Sequence, residues 1–252
     1  MMKISIVTPV YNAAKYIRRT MDSIHGQKGD FELEHIVCDG RSTDGTLEIL
    51  KEYPAATVIS REDGGPFNAI NYGMAMVSGD IGAWLNADDV YVPGALAAVA
   101  ETFERHPECQ WLYGNCPIID AEDREIRRPI TAYKELIGYF YSRDMLLCEN
   151  FINQPATFWR MDLWKKIGGL RSVYKAAWDY ELWVKMSREA PARHLHRDLA
   201  RFRRHGESIS ERFYERQFAE ELQIAGEYGK WIHRWIHRFN QWKITTCYRF
   251  MS

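Results

Sequence analysis

IGAWLNADDVY, Ile81 to Tyr91, runs a short apolar segment straight into acid. Five apolar or small residues lead to Asn86, and the adjacent carboxylates Asp88 and Asp89 follow after one alanine. A run that short, closed by turn residues, is strand length rather than helix length. Adjacent carboxylates repel, and the end of a buried strand is a partly desolvated place to hold them. A cation, a hydrogen-bonded ligand or the water of an exposed turn must offset that cost.

The same rhythm recurs upstream. KISIVT (3–8), LEHIVCD (33–39) and ATVIS (56–60) read as three further strands. Residues 12–26 read as a helix, with Ile17, Met21 and Ile24 at helical spacing. Ser42, Thr43 and Asp44 are capping residues ahead of a helix at TLEILKEY. PFNAINYGMAMV (66–77) and PGALAAVAETFERH (93–106) complete the series. Four alternations of strand and helix predict an α/β fold, with a mostly parallel central sheet, right-handed crossovers and helices on its faces. The rhythm then fades. QWLYGNCPIID (110–120) reads as one or two strands, and 121–160 is mixed. MDLWKKIGG (161–169) and WDYELWVKMSREA (178–190) read as helices, and the chain from about 211 reads as helical and basic. The expected partition is a catalytic domain over 1–210, in halves 1–105 and 106–210, with a helical extension over 211–252.

The bulk numbers exclude some classes. With 252 residues and 46% apolar content the chain can bury a sizeable core. A formal net charge of −1 argues against a general nucleic-acid binder. Five scattered cysteines (Cys38, Cys109, Cys116, Cys148, Cys247) lack CxxC spacing, so reduced thiols and no zinc framework are expected. MMKISIVTPVYN has no long apolar region of a signal peptide, and no run reaches the roughly 18 apolar residues that span a bilayer. The expected location is cytoplasmic, soluble or peripheral at the inner face of a membrane.

Open parallel sheets bind ligands at the carboxyl ends of their strands. The four ends here give Thr8–Tyr11, then Asp39, Gly40, Arg41 and Ser42, then Glu62, Asp63, Gly64 and Gly65, and finally Asn86, Asp88 and Asp89. Acids at three of the four ends are more than helix caps require, and they need cations or donors beside them. TPVYNAA stands where a GxGxxG turn would follow the first strand, and no GxxxxGK[ST] occurs, so dinucleotide and P-loop chemistry are disfavoured. Hard divalent ions on carboxylates are the obvious other way to hold a phosphate.

TPVYN, CDGRSTDGT, EDGGPFNAINYGMAMVSGDIGAWLNADD, NQPATFWR, GGL, AAWDYELWVKM and FRRHGESIS occur in the order found in family 2 glycosyltransferases, and the resemblance runs from about residue 3 to 210. It implies a GT-A fold, a nucleotide-sugar donor (UDP by default, with guanine or thymine nucleotides open), Mg2+ or Mn2+, and inverting transfer to a glycan or lipid-linked acceptor. Thr8, Pro9 and Tyr11 match the loop that lines the nucleotide pocket. Asp39 matches the acid that accepts a hydrogen bond from the base, a role a carboxylate suits because it accepts and cannot donate. Asp63 resembles the donor-binding turn after the third strand, and Asn71 lies further along the following helix.

Asp88 and Asp89 resemble the DXD metal motif, with Asn86 where relatives often carry an acid. The resemblance gives Asp88 the ribose or metal and Asp89 the metal. Asp179, at the start of a helix, matches the acceptor-activating base; as a plain structural element it would be an N-cap. Glu181 is the weaker candidate for that role. Gln154, Pro155 and Trp178 fall on the acceptor side, and Trp178 reads equally as a core aromatic. Arg203 and His205 resemble a loop closing over the donor, with His205 at the diphosphate or metal and Ser208 and Ser210 as phosphate donors. A sugar-1-phosphate nucleotidyltransferase would need a Gly-rich basic loop after the first strand, which TPVYNAAKYI lacks. A non-catalytic carbohydrate-binding homologue would have no need of Asp39, Asp88, Asp89 and Asp179 together.

The tail KWIHRWIHRFNQWKITTCYRFMS (230–252) places Trp231, Trp235, Phe239 and Trp242 at three- and four-residue intervals beside basic residues and no acid. Such a helix suits an anionic membrane interface. It suits equally a helix packed on the catalytic body or on a second subunit of a homo-oligomer.

Overall fold

The computed structural model describes residues 1–206 and 213–251, with 244–251 described by backbone alone. The first half follows the expected alternation. Strand β1 (Met2–Val10) is buried over its last seven residues and lies in the interior of the sheet. It pairs in parallel with β2 (Phe31–Asp39) and β4 (Ile81–Trp84), and β2 pairs in parallel with β3 (Thr57–Ser60). Helices α1 (Ile17–His25), α2 (Thr46–Leu50) and α3 (Pro66–Met76) connect them, and α4 (Ala95–Arg105) follows. Gly73 lets α3 lie close on β1, because a Cβ there would sit 2.5 Å from Val7 Cγ1. Helix α1 begins at Ile17 rather than at residue 12. Asn12 adopts φ +48°, and its side chain accepts the Thr43 N–H at 2.8 Å, so the chain from Tyr11 to Tyr16 remains a shaped loop.

The second half holds what the sequence rhythm does not give. Strands β5 (Val90–Tyr91), β6 (Trp111–Asn115), β7 (Ile118–Ile119) and β8 (Glu125–Ile126) precede helices α5 (Arg128–Tyr139) and α6 (Arg143–Cys148). A single 3-10 turn, Gln154–Ala156, leads into β9 (Thr157–Arg160), followed by α7 (Met161–Ile167) and α8 (Trp178–Glu189). Strands β10 (Arg193–Asp198) and β11 (Ala200–Arg203) come next, then α9 (Tyr214–Tyr228) and α10 (Trp231–Met251). The main sheet runs β10-β6-β9-β4-β1-β2-β3, with β9 antiparallel to both its neighbours. A second small sheet, β5-β11-β7-β8, sits beside the end of β4.

Four buried indoles join the halves. Trp84 on β4, Trp111 on β6, Trp159 on β9 and Trp183 on α8 are each 0–1% exposed. Trp183 lies nearly parallel to Trp84 and to Trp111, with centroids 6.0 Å away in both cases, and Trp84 meets Trp159 at 5.5 Å. Such pairs add to the burial of large aromatic surface. They fix α8 against the strand whose end carries Asn86 and Asp88.

The segment expected as an extension shares this core. Ile224 of α9 is fully buried in the tryptophan cluster. Glu220 of α9 accepts the backbone N–H groups of Lys175, Ala176 and Ala177 at 2.8–3.1 Å, which fixes the chain entering α8. Among the described residues no helix is long and apolar enough to cross a membrane.

Trp183→Ala is expected to cost about 3–5 kcal/mol, the usual range for removing a buried aromatic. Chemical denaturation monitored by circular dichroism measures it, and a loss under about 1 kcal/mol would show that the indoles do not join the halves.

Candidate active site

The ends of β1, β2 and β4 and the turn after β3 open into one cleft of about 1920 Å³. That exceeds the volume of a typical small-ligand pocket and leaves room for two substrates together.

At one end, three strand termini meet. A Cβ on Gly40 would lie 3.3 Å from Asp63 Oδ2 and 3.4 Å from Tyr11 Cδ2, so the missing side chain lets the acid and the ring approach. Tyr11 is 66% exposed and presents its ring to the cleft. Asp63 accepts the Gly65 N–H at 2.7 Å, and Gly64 and Gly65 both take positive φ as the turn enters α3. Pro9 also lines this end. Asp39, expected to accept from the base, is not among the residues lining the cleft: it lies just beneath, 1% exposed, accepting the Ser42 N–H at 3.2–3.3 Å and the Ser60 hydroxyl at 2.5 Å, so of the two expected acids Asp63 is the one that lines this end.

Two more of the residues expected here do not line the cleft. Thr8 is fully buried and shares a hydrogen bond of 2.9 Å with His35 Nε2 under the sheet. Asn71 is held at Leu170, donating to its carbonyl and accepting its N–H, both at 3.1 Å. It therefore braces the segment after α7 and does not line the cleft.

The acids after β4 divide their work. Asp88 lines the cleft, and its Oδ2 lies 3.0 Å from His205 Nε2. Asp89 is fully buried beneath it. One Asp89 oxygen accepts the Arg203 backbone N–H at 2.8 Å and the other the Asn86 amide at 3.2 Å. Burial, with the Asp88 charge beside it, pushes the Asp89 carboxyl well above the usual carboxylate range. Asp89 was expected as the metal ligand; it lies behind the cleft wall, and the acid presented to a ligand is Asp88.

Arg203, expected at the donor, is also fully buried. Its guanidinium donates to the carbonyls of Asp88 at 2.7 Å and Asp120 at 2.8 Å, and to the Asp123 carboxylate. It is a clamp that holds the acidic turn against the small second sheet. Its neighbours Phe202 and Arg204 line the cleft, as does His205, whose ring packs on Tyr16 with centroids 4.7 Å apart. Ser208 and Ser210 lie outside the described residues.

Asn86 lines the cleft and donates to Gln154 Oε1 at 3.2 Å, while Gln154 donates to the Trp84 carbonyl at 2.6 Å. Gln154 thus ties the 3-10 turn to the end of β4. Asp179, in the first turn of α8, faces the cleft with Trp178 beside it. Burial pushes the Asp179 carboxyl up to about 6, against the Tyr180 N–H that it accepts at 2.7 Å. The nearby Glu221 charge adds to the rise. Burial disfavours the charge on Glu221 as well. Hydrogen bonding from His237, Asn150 (2.9 Å) and Gln217 (3.1 Å) outweighs that, and its carboxyl ends below the usual range. Glu181 is buried on another side of α8, where it accepts from Tyr228 at 2.8 Å and pairs with Arg171.

The far wall holds residues without a motif to mark them. Lys134 of α5 donates to Asn153 at 2.8 Å, and Tyr133 donates to Glu149 at 2.9 Å. Glu221 of α9 and His237 and Gln241 of α10 also face the cleft.

Among the described residues no group of three or more His, Cys, Asp or Glu side chains could hold a metal ion. Asp88 and His205 form a pair at the cleft surface. Mg2+ and related ions that travel with a diphosphate usually take one or two carboxylates and fill the rest of the shell with phosphate and water, so the Asp88 carboxylate fits such an ion, with His205 beside it as a softer donor.

Comparison with known proteins bears on the family and the fold. A chondroitin synthase of Escherichia coli is 28% identical over 235 residues, covering 89% of this chain; the chain spans 32% of that longer protein. The S. aureus TarS 1-349 structure in complex with UDP-GlcNAc superposes with a TM-score of 0.68 at 23% identity, covering 90% of this chain and 71% of that one. The Pyrobaculum calidifontis mannosyltransferase PcManGT, in complex with GDP-Man and Mn2+, gives 0.70 at 19% identity, covering 90% and 65%. The family model for glycosyl transferase family 2 matches residues 5–168. That match takes in the three acidic strand ends and the 3-10 turn tied to the last of them: the chain is a glycosyltransferase of family 2, built on a GT-A fold.

Proposed function

We propose that the chain transfers a sugar from a nucleoside diphosphate donor to an acceptor hydroxyl, with inversion at the anomeric carbon. The observation that supports this most is the placement of Asp88 and Asp179 on one cleft large enough for both substrates. The exposed Tyr11 ring gives a face for the base, and the carboxylate of Asp63 lies beside it to accept from base or ribose. UDP is the first donor to test, with GDP next, because TarS and PcManGT are recorded with UDP-GlcNAc and GDP-Man.

Asp88 and His205 are the residues proposed to hold Mg2+ or Mn2+. When bound, the ion supplies charge neutralisation for the departing diphosphate. Arg203 and the buried Asp89 keep the acidic turn in place while that charge develops. Asp179 is the proposed general base. It takes the proton of the acceptor hydroxyl as the oxygen attacks from the face opposite the leaving group, which sets the inversion. Its half-desolvated carboxylate is a stronger base than a solvated one, because burial raises the affinity for the proton. Trp178 and Gln154 belong to the acceptor side, and the acceptor is proposed to be a glycan or a lipid-linked glycan presented at a membrane. In this reading residues 1–210 carry the two substrate halves, and α9 and α10 complete the acceptor wall.

Asp179→Asn keeps the shape and loses the proton acceptor, so transfer is expected to fall by at least about 100-fold while nucleotide affinity stays within about threefold. Transfer from radiolabelled nucleotide sugars, beside calorimetric binding, measures both; full-rate transfer by the variant would overturn the base assignment. The ionised form of Asp179 increases as pH rises through about 6. The wild-type kcat profile should therefore lose activity on the acid side of about pH 6 and level off above it. An acid limb centred near pH 4, the value of a solvated carboxylate, would contradict the desolvated base. Proton NMR of the first product formed should show the anomer opposite to the donor's, and retention would exclude single in-line displacement.

A further inference from the structure

Helix α10 is inverted relative to an ordinary surface helix. Three of its polar side chains are inside: His233, His237 and Gln241, at intervals of four, are each 8% exposed or less. His237 Nδ1 lies 3.0 Å from the Leu147 carbonyl, Gln241 donates to the Phe218 carbonyl at 2.9 Å, and Asn240 donates to the Cys148 carbonyl at 3.2 Å. Its apolar side chains are outside. Trp231 is 74% exposed, Trp235 66%, Phe239 58% and Trp242 63%, and Ile232 and Ile236 widen the stripe. At roughly 100° per residue these fall on the face opposite the buried polar one. Arg234 and Arg238 are exposed along one edge, and Lys243 borders the other. No acidic residue occurs from 230 to 252.

We propose that this outer face of α10 docks on the surface of an anionic lipid bilayer. Indoles and phenyl rings favour the boundary between headgroups and acyl chains, which accepts an apolar ring with a polar edge. The flanking arginines meet anionic headgroups, and the absence of acid from the tail makes the match one-sided. The stripe is a ridge on a single helix, shaped to sink into a fluid boundary rather than to receive a knob from a folded partner. Docking is coupled to the site, because the inner side of the same helix gives His237, Asn240 and Gln241 to the cleft. A bilayer at the outer face would hold the acceptor wall close to the headgroups. The inference rests on the glycosyltransferase reading only for that purpose, since the surface stands on its own exposure and charge.

The test is flotation of the full chain with phosphatidylcholine vesicles, with and without about 30 mol% phosphatidylglycerol. Binding should be at least about tenfold stronger to the anionic vesicles and should weaken with salt. Trp231→Ser with Trp235→Ser, and separately Arg234→Glu with Arg238→Glu, should each reduce that binding at least about tenfold. All four residues lie outside the cleft, so metal-dependent nucleotide binding should stay at the wild-type level in both double variants. Equal flotation of wild type and both variants, or none for wild type, would overturn the docking face and leave the transferase reading intact. Sedimentation velocity on the same proteins gives the other decisive outcome. A concentration-dependent dimer that the tryptophan pair abolishes would make this face an interface between copies of the chain, and the bilayer proposal would fail. Loss of nucleotide binding by wild type would instead count against the donor site, whatever the vesicles show.

Discussion

The buried carboxylate of Asp89 is the constraint around which the site is arranged. A carboxyl group without access to water needs hydrogen-bond donors, and its desolvation costs several kcal/mol when the group is ionised. The donors come from two directions, the backbone of β11 through Arg203 and the side chain of Asn86. Meeting that need pulls the end of β4 against the small second sheet. The Arg203 guanidinium, itself buried, then ties the Asp88 carbonyl to the turn between β7 and β8. Asp88 is left on the cleft side with His205 beside it. The electrostatic awkwardness of two adjacent acids is thus resolved by giving them different surroundings, one enclosed by donors and one open to a ligand.

The second dependency is spatial. A base and a leaving-group site act together only if the elements carrying them are fixed relative to each other. Trp84 precedes the acidic turn and Trp183 follows Asp179 on α8, and the two indoles stack. The far wall of the cleft is added by α9 and α10: Glu220 holds the loop that enters α8, and His237 bonds to the Leu147 carbonyl in α6. Glu220 and Glu221 show how closely this is joined: one holds the chain that enters α8, and its neighbour adds its charge to the environment of Asp179.

The four β/α units were legible because each strand is a short apolar run closed by turn residues and each helix keeps its apolar spacing. Ile17, Met21 and Ile24 are all buried as that spacing implies. The acidic strand ends were legible for the same reason, since a parallel sheet gathers them on one edge. Facing was not. Adjacent residues point to different sides, and nothing in DD says which acid is enclosed. The alternation of β11 turns Phe202 and Arg204 to the cleft and Arg203 away from it, so a motif read as a unit misplaced its middle residue. Strand β9 escaped because four residues, Thr157 to Arg160, are too few to show a period, and its antiparallel place between β4 and β6 is set by tertiary packing. The tail was open between packing and exposure, and the structure uses one face of α10 for the first and leaves the other for solvent. A stripe of His233, His237 and Gln241 at intervals of four was the available signal, overshadowed by the tryptophans.

Asp88, and not Asp89, is the acid proposed to meet the ion and the diphosphate. Calorimetric titration of UDP and GDP, with and without Mn2+, into wild type and Asp88→Asn measures it most directly. Mn2+ is expected to strengthen wild-type binding of the matching nucleotide at least about tenfold, and the variant to lose this increment while keeping its melting temperature. An undiminished Mn2+ increment in Asp88→Asn would contradict it.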